Sequence, residues 1–392
     1  MKLVLAYISQ IRWPSEIPAG PFNASFMQAA ARAGVDVHMI VRSSHHPRAA
    51  HDSDPYDVLE HEYGLQRHDN LHIHVIPTPA WKPMSDRVVF FERAGWLLRR
   101  LVKQYGVNTV MSRDTRAIPY LARWRRRGLV AVHDTHNFYM DLDARDEPSA
   151  RRKRSYQYYE RRFLPKLDGL LPLLEIQAEQ YRKHLAIPVR AAHPGLHHAN
   201  PPVPDRFDRH TVAYVGSFSS IKGAGDLVAM LKRLDNETRL LLIGGRGSVE
   251  TEAMRQRIRQ QALQDRAEVT GWLPVPALLE RLREASVAVL SLRDTFYNRY
   301  LTAPSKLFNY LEQALPLVAS DLPAIRELAG DAALYVPPED NGALEHALRT
   351  LLTDRSRHEA LADTAHQRAR SLLWIERGHR LREFLEELHG NR

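Results

Sequence analysis

The sequence predicts an α/β protein made of two doubly wound parallel sheets, and three observations support this. Short apolar runs alternate with longer segments of helical period along most of the 392 residues. The alternation stops at a stretch with four prolines, His193 to His210, and then begins again. The length also suits two domains of roughly 150–200 residues each. Alternating strands and helices favour parallel sheets with helices on both faces.

In the first half, seven apolar runs are predicted to be strands. Helical segments such as Asp86 to Tyr105 and Ser149 to Phe163 separate most of them. The predicted strands begin at Leu3, Val35, Leu71, Gly106, Leu129, Leu167 and Ile187.

In the second half, six strands and six helices are predicted. A last helix, Trp374 to Leu388, follows the completed second domain, and we expect it to pack across the domain boundary. We therefore predict domains at 1–195 and 196–372, with 373–392 crossing back towards the first. The strands begin at Thr211, Thr238, Ala267, Ser286, Leu315 and Ala332, and the helices at Lys222, Ser248, Val275, Pro304, Asn341 and Arg355.

The composition excludes several classes of protein. With 44% hydrophobic and 26% charged residues, the chain is neither disordered nor fibrous. It has no cysteine, so disulfides, thiol catalysis and cysteine-ligated zinc are excluded. No apolar run reaches about 18 residues, and the first one is too short and too early for a signal peptide. We therefore expect a cytoplasmic protein.

The net charge of +9 indicates an anionic partner without identifying it. Three basic runs lie in the first half, at Arg93 to Lys103, Arg123 to Gly128 and Arg151 to Arg162. They are either solvated helix faces or a surface that contacts a phosphorylated acceptor or the anionic inner face of a membrane. Nucleic acid would explain the charge, but no motif in the sequence supports it.

Three helix starts in the second half favour anion binding. Lys222-Gly223 follows a strand in "VGSFSSIKGAGDL", and Arg246 lies among glycines in "LLIGGRGS". In "TAPSKLFNY", Thr302 can cap a helix whose first turn holds Pro304, Ser305 and Lys306. Free N–H groups and a cation at a helix start suit a diphosphate. Each loop alone is also compatible with an ordinary tight turn.

The second half resembles the family 4 glycosyltransferases of the GT-B fold. The family's blocks occur in order as "VG…KG", "LLIGGRG", "VTGWLPVPALLERLREASVAVLSL" and "TAPSKLFNYLEQALPLVASDLPAIREL". The resemblance implies two Rossmann-like domains facing a central cleft, with the nucleotide-sugar donor bound by the second. The donor-binding residues that it implies are Gly216, Ser217, Lys222, Gly244, Gly245, Arg246, Trp272, Leu273, Ser305, Lys306, Leu307 and Asn309.

Two departures from the family pattern concern the donor site. The family commonly has two glutamates eight residues apart, where this chain has Leu301 and Asn309. An Asn can still bond the ribose hydroxyls, but without charge assistance. The family's arginine in the "VG" loop is also missing, because Ser217 follows Gly216. A non-catalytic relative that binds nucleotide sugars is therefore one alternative.

The first half matches the acceptor domain of this family more loosely. "AGPFNASF", "VMSRDTR" and "VHDTHNFY" resemble segments that line the cleft, which implies acceptor or cleft roles for Gly20, Asn23 and Arg113. His136 matches the histidine that lies beside the transferred sugar in family members, whereas His133 lies on the strand side. The resemblance thus implies that His136 and Lys222 are the catalytic residues.

Metal-dependent chemistry has weak support in the sequence. The acid pairs Asp52/Asp54 and Asp141/Asp143 have the DxD spacing of the other large glycosyltransferase fold, but neither follows a clear strand. The pairs His45-His46 and His197-His198 lack the spacing of a metal site. We therefore expect no metal and no cofactor.

The sequence thus predicts a retaining, metal-independent glycosyltransferase. Its donor would be a nucleoside-diphosphate sugar linked to UDP or GDP, and its acceptor a glycan, a lipid-linked or a small molecule. A GT-B epimerase or hydrolase acting on a nucleotide sugar is the second alternative, since it would share the donor half.

Overall fold

A computed structural model describes the chain over residues 1–15, 17, 19–43, 54–77, 85–142, 150–218, 224–245 and 247–392. The chain divides into two compact units. The first unit contains Met1–Gly195 together with Trp374–Arg392, and the second contains Leu196–Leu373. Each unit has one six-stranded parallel sheet with helices around it, which confirms the predicted fold class.

The first unit has the strand order β3-β2-β1-β4-β5-β6, with every pair parallel. Chain order reverses between β1 and β4, and ligands of such sheets bind beyond the carboxyl ends of the strands at this point. The strands are β1 Val4–Trp13, β2 Asp36–Ser43, β3 Leu71–Ile76, β4 Thr109–Ser112, β5 Val130–Thr135 and β6 Gly169–Pro172; the helices are α1 Ala19–Arg32, α2 Pro55–Asp57, α3 Ser85–Tyr105, α4 Ile118–Arg125, α5 Ala150–Phe163 and α6 Glu175–Arg182.

The second unit repeats this arrangement in the order β12-β11-β10-β7-β8-β9. All six predicted strands are confirmed, and the reversal lies between β7 and β10. The strands are β7 Thr211–Gly216, β8 Arg239–Gly244, β9 Ala267–Gly271, β10 Val287–Leu290, β11 Leu317–Ser320 and β12 Ala333–Val336; the helices are α7 Ala224–Leu231, α8 Gly247–Gln260, α9 Val275–Leu282, α10 Phe296–Tyr300, α11 Ser305–Glu312, α12 Pro323–Ala329, α13 Asn341–Thr353 and α14 Arg355–Arg370.

The last helix, α15 (Trp374–Gly390), belongs to the first unit and packs against α1. A Cβ atom on Gly378 would lie 2.3 Å from the carbonyl oxygen of Ala29, so only glycine permits this approach. Leu381, Phe384 and Leu385 of α15 are buried in the core that the sheet and α1 form. The chain therefore returns to its first unit after the second is complete.

Two local predictions were wrong. The run from Ile187 is not a strand: it makes a single bridge from Val189 to β6, because Pro188 and, on β6, Pro172 lack the N–H groups that the rungs on either side of the bridge would need. Thr302 does not cap α11. Thr302 is buried, and the helix begins three residues later at Ser305, after Pro304, whose backbone is extended. In the described parts of the chain, none of the helices is both long and apolar enough to cross a membrane.

Candidate functional site

Helix α11 is attached to the second sheet at its reversal point by Tyr310. The N–H of Val215 in β7 donates to the Tyr310 hydroxyl at 2.8 Å, and this hydroxyl donates to the carbonyl of Val289 in β10 at 3.2 Å. Tyr310 is completely buried, so both bonds are shielded from water. The helix start, and with it Lys306, is therefore held beside the carboxyl end of β7.

The ends of β7 and β8 are built from glycines whose backbone conformations other residues adopt only with strain. Gly216, Gly244 and Gly245 all have positive φ, at 134°, 125° and 105°. A Cβ on Gly244 would lie 2.4 Å from the carbonyl oxygen of Gly216, and the N–H of Gly245 donates to that same oxygen at 3.0 Å. The two loops thus run in direct backbone contact, and they present backbone without side chains at this edge.

Lys306 reaches from α11 to the first of these loops. Its Nζ lies 4.0 Å from the centroid of the Tyr214 ring and 3.2 Å from the place of a Cβ on Gly216. Lys306 is only 8% exposed, so its charge is poorly screened by water. The Tyr214 hydroxyl donates to the Ser217 carbonyl and so connects the ring to the loop. A cation, two glycine loops and a helix start therefore meet at one strand edge.

The remaining predicted donor residues differ in what they can offer. Ser305 is exposed at the first position of α11, and Asn309 is half-buried one turn later. The Leu307 side chain is completely buried, and its N–H donates to the Pro304 carbonyl. Trp272 is 75% exposed after β9, and Leu273 beside it is half-buried. Lys222 and Arg246 lie outside the described residues.

In the first unit, Arg113 and His136 follow neighbouring strands β4 and β5. Arg113 Nε donates to His136 Nδ1 at 3.2 Å. Because Nδ1 accepts this bond, the ring proton lies on Nε2. Burial, the Arg113 cation and His133 together hold the pKa of His136 well below its usual range. His136 is thus a neutral imidazole with one N–H available for donation.

His133 is a core residue, as the sequence suggests by placing it on the strand side. It is 1% exposed, and its Nδ1 bonds the carbonyl of Ser112 at 2.9 Å. Burial lowers its pKa to about 4, so it is neutral in neutral solution. The Ser112 hydroxyl in turn donates to the Ile8 carbonyl at 2.6 Å and joins β4 to β1 at the reversal point.

A buried ion pair that the sequence did not reveal supports this arrangement. Arg377 of α15 donates to Asp134 at 2.8 Å, and neither side chain is exposed. Arg113 lies 3.9 Å from the other oxygen of Asp134. Burial lowers the pKa of Arg377 to about 10, although Asp134 opposes the shift. Asp134 is the penultimate residue of β5, two positions before His136, so this pair anchors the end of the strand that the histidine follows.

Both arginines also lie close to the ring of Phe22. Arg113 stacks over its ring at 3.6 Å and Arg377 at 5.4 Å. The 243-residue separation of Asp134 and Arg377 explains why no local pattern predicts the pair.

The two other acceptor-side residues are buried in the first unit. Asn23 is 1% exposed, accepts from the Tyr7 hydroxyl and donates to Ser9 Oγ. Gly20 lies at the start of α1, where a Cβ would be 2.7 Å from that of Ser15. Asn23 therefore joins α1 to β1, and its side chain offers the described surface very little.

The acid and histidine pairs lie in separate surroundings. Asp54 caps α2 by accepting from the Tyr56 N–H, and Asp141 pairs with His184 at 2.9 Å. The rings of His197 and His198 are 6.5 Å apart. The partners Asp52, Asp143, His45 and His46 lie outside the described residues.

Two family models match the chain, one on each unit. A "Glycosyl transferase 4-like domain" matches residues 19–194, and "Glycosyl transferases group 1" matches residues 209–354. The chain is therefore an enzyme of the glycosyltransferase class with the GT-B fold. More particularly, it belongs to the family 4 type that these two domains define. No curated protein matches it significantly.

Solved structures show the same fold along the whole chain. Sucrose-phosphate synthase from Thermosynechococcus elongatus matches with a TM-score of 0.74 at 18% identity, covering 100% of both chains. Anabaena HepE, solved with UDP and glucose, matches at 0.69 and 11%, covering 98% of this chain and 100% of its own. The pneumococcal O-GlcNAc transferase GtfA, solved with UDP and GlcNAc, matches at 0.69 and 12%, covering 99% of both.

Proposed function

We propose that this enzyme transfers a sugar, with retention and without a metal in the reaction, from a UDP- or GDP-linked donor. The observation that carries the proposal is the edge of the second sheet, where Lys306 meets the glycine loops at Gly216 and Gly244. Several structural neighbours are described with UDP or a UDP-sugar, which supports UDP as the first donor to test.

The chemistry of this edge suits the departure of a diphosphate. As the bond to the anomeric carbon breaks, negative charge grows on the leaving oxygen. A poorly hydrated lysine and free N–H groups at the start of α11 stabilise that charge without reorganising. Lys222 adds a second cation in this proposal. Ser305 and Asn309, four residues apart on α11, would bond the ribose hydroxyls.

His136 acts in the proposal as a hydrogen-bond donor beside the transferred sugar. Its Nδ1 is occupied by Arg113, and its lowered pKa keeps it neutral, so Nε2–H donates to a sugar hydroxyl. It positions the sugar and does not act as a proton acid at neutral pH. Asp134 and Arg377 hold the backbone around it.

The acceptor is a glycan, a lipid-linked or a small molecule bound by the first unit, and we place the enzyme in the cytoplasm. Helix α3 supports peripheral contact with an anionic membrane, since it exposes Trp96 (69%) beside Arg99, Arg100 and Lys103. An exposed aromatic ring with basic neighbours is typical of interfacial helices. Flotation with vesicles containing anionic lipid should recover the enzyme, and Trp96→Ala with Arg99→Ala should reduce the bound fraction.

A thermal-shift panel tests the donor site. The panel compares UDP, GDP, ADP, dTDP and CMP, and the nucleotide sugars of each. A ligand that binds the native state raises the stability of the protein by mass action. One nucleotide is expected to stabilise the enzyme more than the others. If none does, the donor-site proposal is wrong. EDTA should leave turnover unchanged, and NMR of the product should show the anomeric configuration of the donor.

Two substitutions separate binding from chemistry. Lys306→Met should reduce kcat by about 10²–10³-fold, since one lost electrostatic contact to a transition-state oxyanion costs that much. His136→Ala should abolish transfer but leave the nucleotide thermal shift nearly intact. Unchanged turnover in His136→Ala would refute its role.

The same assays distinguish the alternatives. A transferase should be almost idle without acceptor, whereas an epimerase or hydrolase would consume the nucleotide sugar alone. A binding-only relative would show the thermal shift with no turnover of any donor. The absence of charge assistance at Asn309 favours this last outcome over the epimerase.

A further inference from the structure

Three histidines and an aspartate share one face of the first sheet, at the amino-terminal ends of β2 and β3. His38 of β2 is in register with His72 of β3; Asp36 lies two residues before His38 on β2, and His74 lies two residues after His72 on β3. Side chains two apart on a strand, or opposite each other on neighbouring strands, point to the same side. Arg113 and His136 lie at the other, carboxyl edge of this sheet.

These side chains are already arranged as ligands. His72 Nε2 is 3.1 Å from Asp36 Oδ1, and one ligand atom from each of Asp36, His38 and His72 lies within 4.8 Å of the others. Ligand atoms around a tetrahedral zinc with bonds near 2.1 Å are roughly 3.3 Å apart. The distance between His72 Nε2 and Asp36 Oδ1 already fits this value. The His38 nitrogen would have to move closer to them by up to about 1.5 Å.

His38 has the orientation of a metal-ligating histidine. Its Nδ1 bonds His74 Nε2 at 3.0 Å, which leaves Nε2 as the remaining ring nitrogen. His38 is completely buried, and among the residues that the structure describes no group bonds this Nε2. A ligating histidine usually uses its other nitrogen for such a bond, which fixes the ring.

The surroundings of the cluster also suit a cation. The rings of His38 and His72 stack at 4.7 Å, and Tyr105 of α3 covers His38 at 4.7 Å. Lys2 opposes a bound cation, since its Nζ lies 2.7 Å from Asp36 Oδ2 on a side chain that is 74% exposed.

We propose that Asp36, His38 and His72 bind Zn²⁺, with His74 orienting His38, and that the ion joins β2 to β3. Two imidazoles and a carboxylate form a ligand set that zinc accepts, and a fourth position stays open to water. The ion would occupy the place of the hydrogen between His72 and Asp36. It lies away from the carboxyl edge, so it takes no part in the proposed sugar transfer.

The test uses the full chain without a histidine tag, stripped by a chelator and titrated with ZnCl₂ against a competing fluorescent chelator. We expect one tight equivalent of zinc and a rise in Tm on binding. His72→Ala should weaken binding by about 100-fold, and His74→Phe by about 10-fold. His379→Ala, which removes an exposed histidine of α15, is the matched control and should bind as the wild type does.

Lys2→Ala is the second variant, because Lys2 is exposed and its loss should not disturb folding. Removing the competing cation should tighten zinc binding by about 3- to 10-fold, a gain that a merely structural role would not produce. Co²⁺ bound to the wild type should give the strong visible bands of a tetrahedral site. The proposal is overturned if His72→Ala and the wild type bind zinc equally, or if Lys2→Ala brings no gain.

Discussion

The two sheets have equivalent strand orders, but the charged groups at their carboxyl edges are arranged differently. The edge of the first sheet holds buried charges in pairs: Asp134 is fixed by Arg377 and flanked by Arg113. The edge of the second consists mainly of glycine backbone, with Lys306 over an aromatic ring. The first arrangement surrounds the side chain of His136 with fixed charges, whereas the second leaves backbone without side chains where we propose that the donor diphosphate binds.

The largest loss of stability should come from breaking the buried ion pair between Arg377 and Asp134 in the first unit. Arg377→Met leaves Asp134 buried without its closest cation, which should cost about 3–5 kcal/mol. Hydrogen exchange followed by mass spectrometry should show faster exchange in β5, while β7 in the second unit serves as an internal reference. Arg380→Met, on the exposed side of the same helix, should change stability by less than about 0.5 kcal/mol.

The next largest loss of stability should come from adding one methyl group at the carboxyl edge of the sheet in the second unit. Gly244→Ala places a Cβ 2.4 Å from the Gly216 carbonyl at a φ of 125°, and should cost at least about 2 kcal/mol. Nucleotide binding should fall with it. Gly342→Ala in α13 is the control: its Cβ would make an ordinary 3.4 Å contact, and the helix should gain up to about 1 kcal/mol. Equal stability of the two variants would contradict the close approach of the loops.

Glu312, also on α11, gives the second unit a buried carboxyl that forms no ion pair with any residue that the structure describes. Burial raises its pKa to about 7 from an ordinary 4.5, opposed by a bond from the His198 backbone. Because the pKa of Glu312 is higher in the folded state than in the unfolded state, its favourable contribution to stability is complete below pH 4.5 and is lost as pH rises through 7. Glu312→Gln should therefore be more stable than the wild type at pH 9, by on the order of 2 kcal/mol.

The control for this change is Glu280→Gln, whose side chain is exposed on α9. Chemical denaturation at pH 4 and pH 9 should show Glu312→Gln and the wild type equal at the low pH only. A stability difference that does not depend on pH would show that packing, and not ionisation, separates them.

The smallest expected effect concerns the pH dependence of kcat/KM, to which His136 should contribute nothing near neutral pH. Since burial and Arg113 hold the pKa of His136 well below its usual range, the ring does not titrate in neutral solution. Thus kcat/KM should show no inflection from His136 between pH 6 and 8. His136→Gln, which keeps an N–H donor, should retain more activity than His136→Ala. An inflection that disappears in His136→Gln would mean that the imidazole gains a proton during turnover.

The sequence predicted the parts of this fold that depend on local pattern. Buried parallel strands are continuous apolar runs, so twelve strands and both sheets could be predicted before the structure. The error at Ile187 arose because an apolar run with a proline resembles a strand but cannot form its ladder. Thr302 was assigned as a cap from residue type alone, whereas packing buries it.

The candidate site could be predicted only where its residues lie in short motifs. Gly216, Lys306 and Asn309 follow from loops and a helix start. Tyr310, one residue further, anchors the whole helix. In the sequence it is only a tyrosine on the apolar face of a helix, and nothing there predicts that its hydroxyl bonds two strands. Arg377 was missed because its partner lies in another part of the sequence, and only the fold brings them together.

The return of α15 to the first unit has a consequence for synthesis on the ribosome. The whole of Leu196–Leu373 must be translated before Trp374–Arg392 emerges, a delay of about ten seconds or more at ordinary elongation rates. During that interval the nascent first unit lacks Arg377, and Asp134 must remain hydrated or protonated. The second unit is contiguous in the chain and can fold while it waits. The first unit is thus synthesised first but completed last.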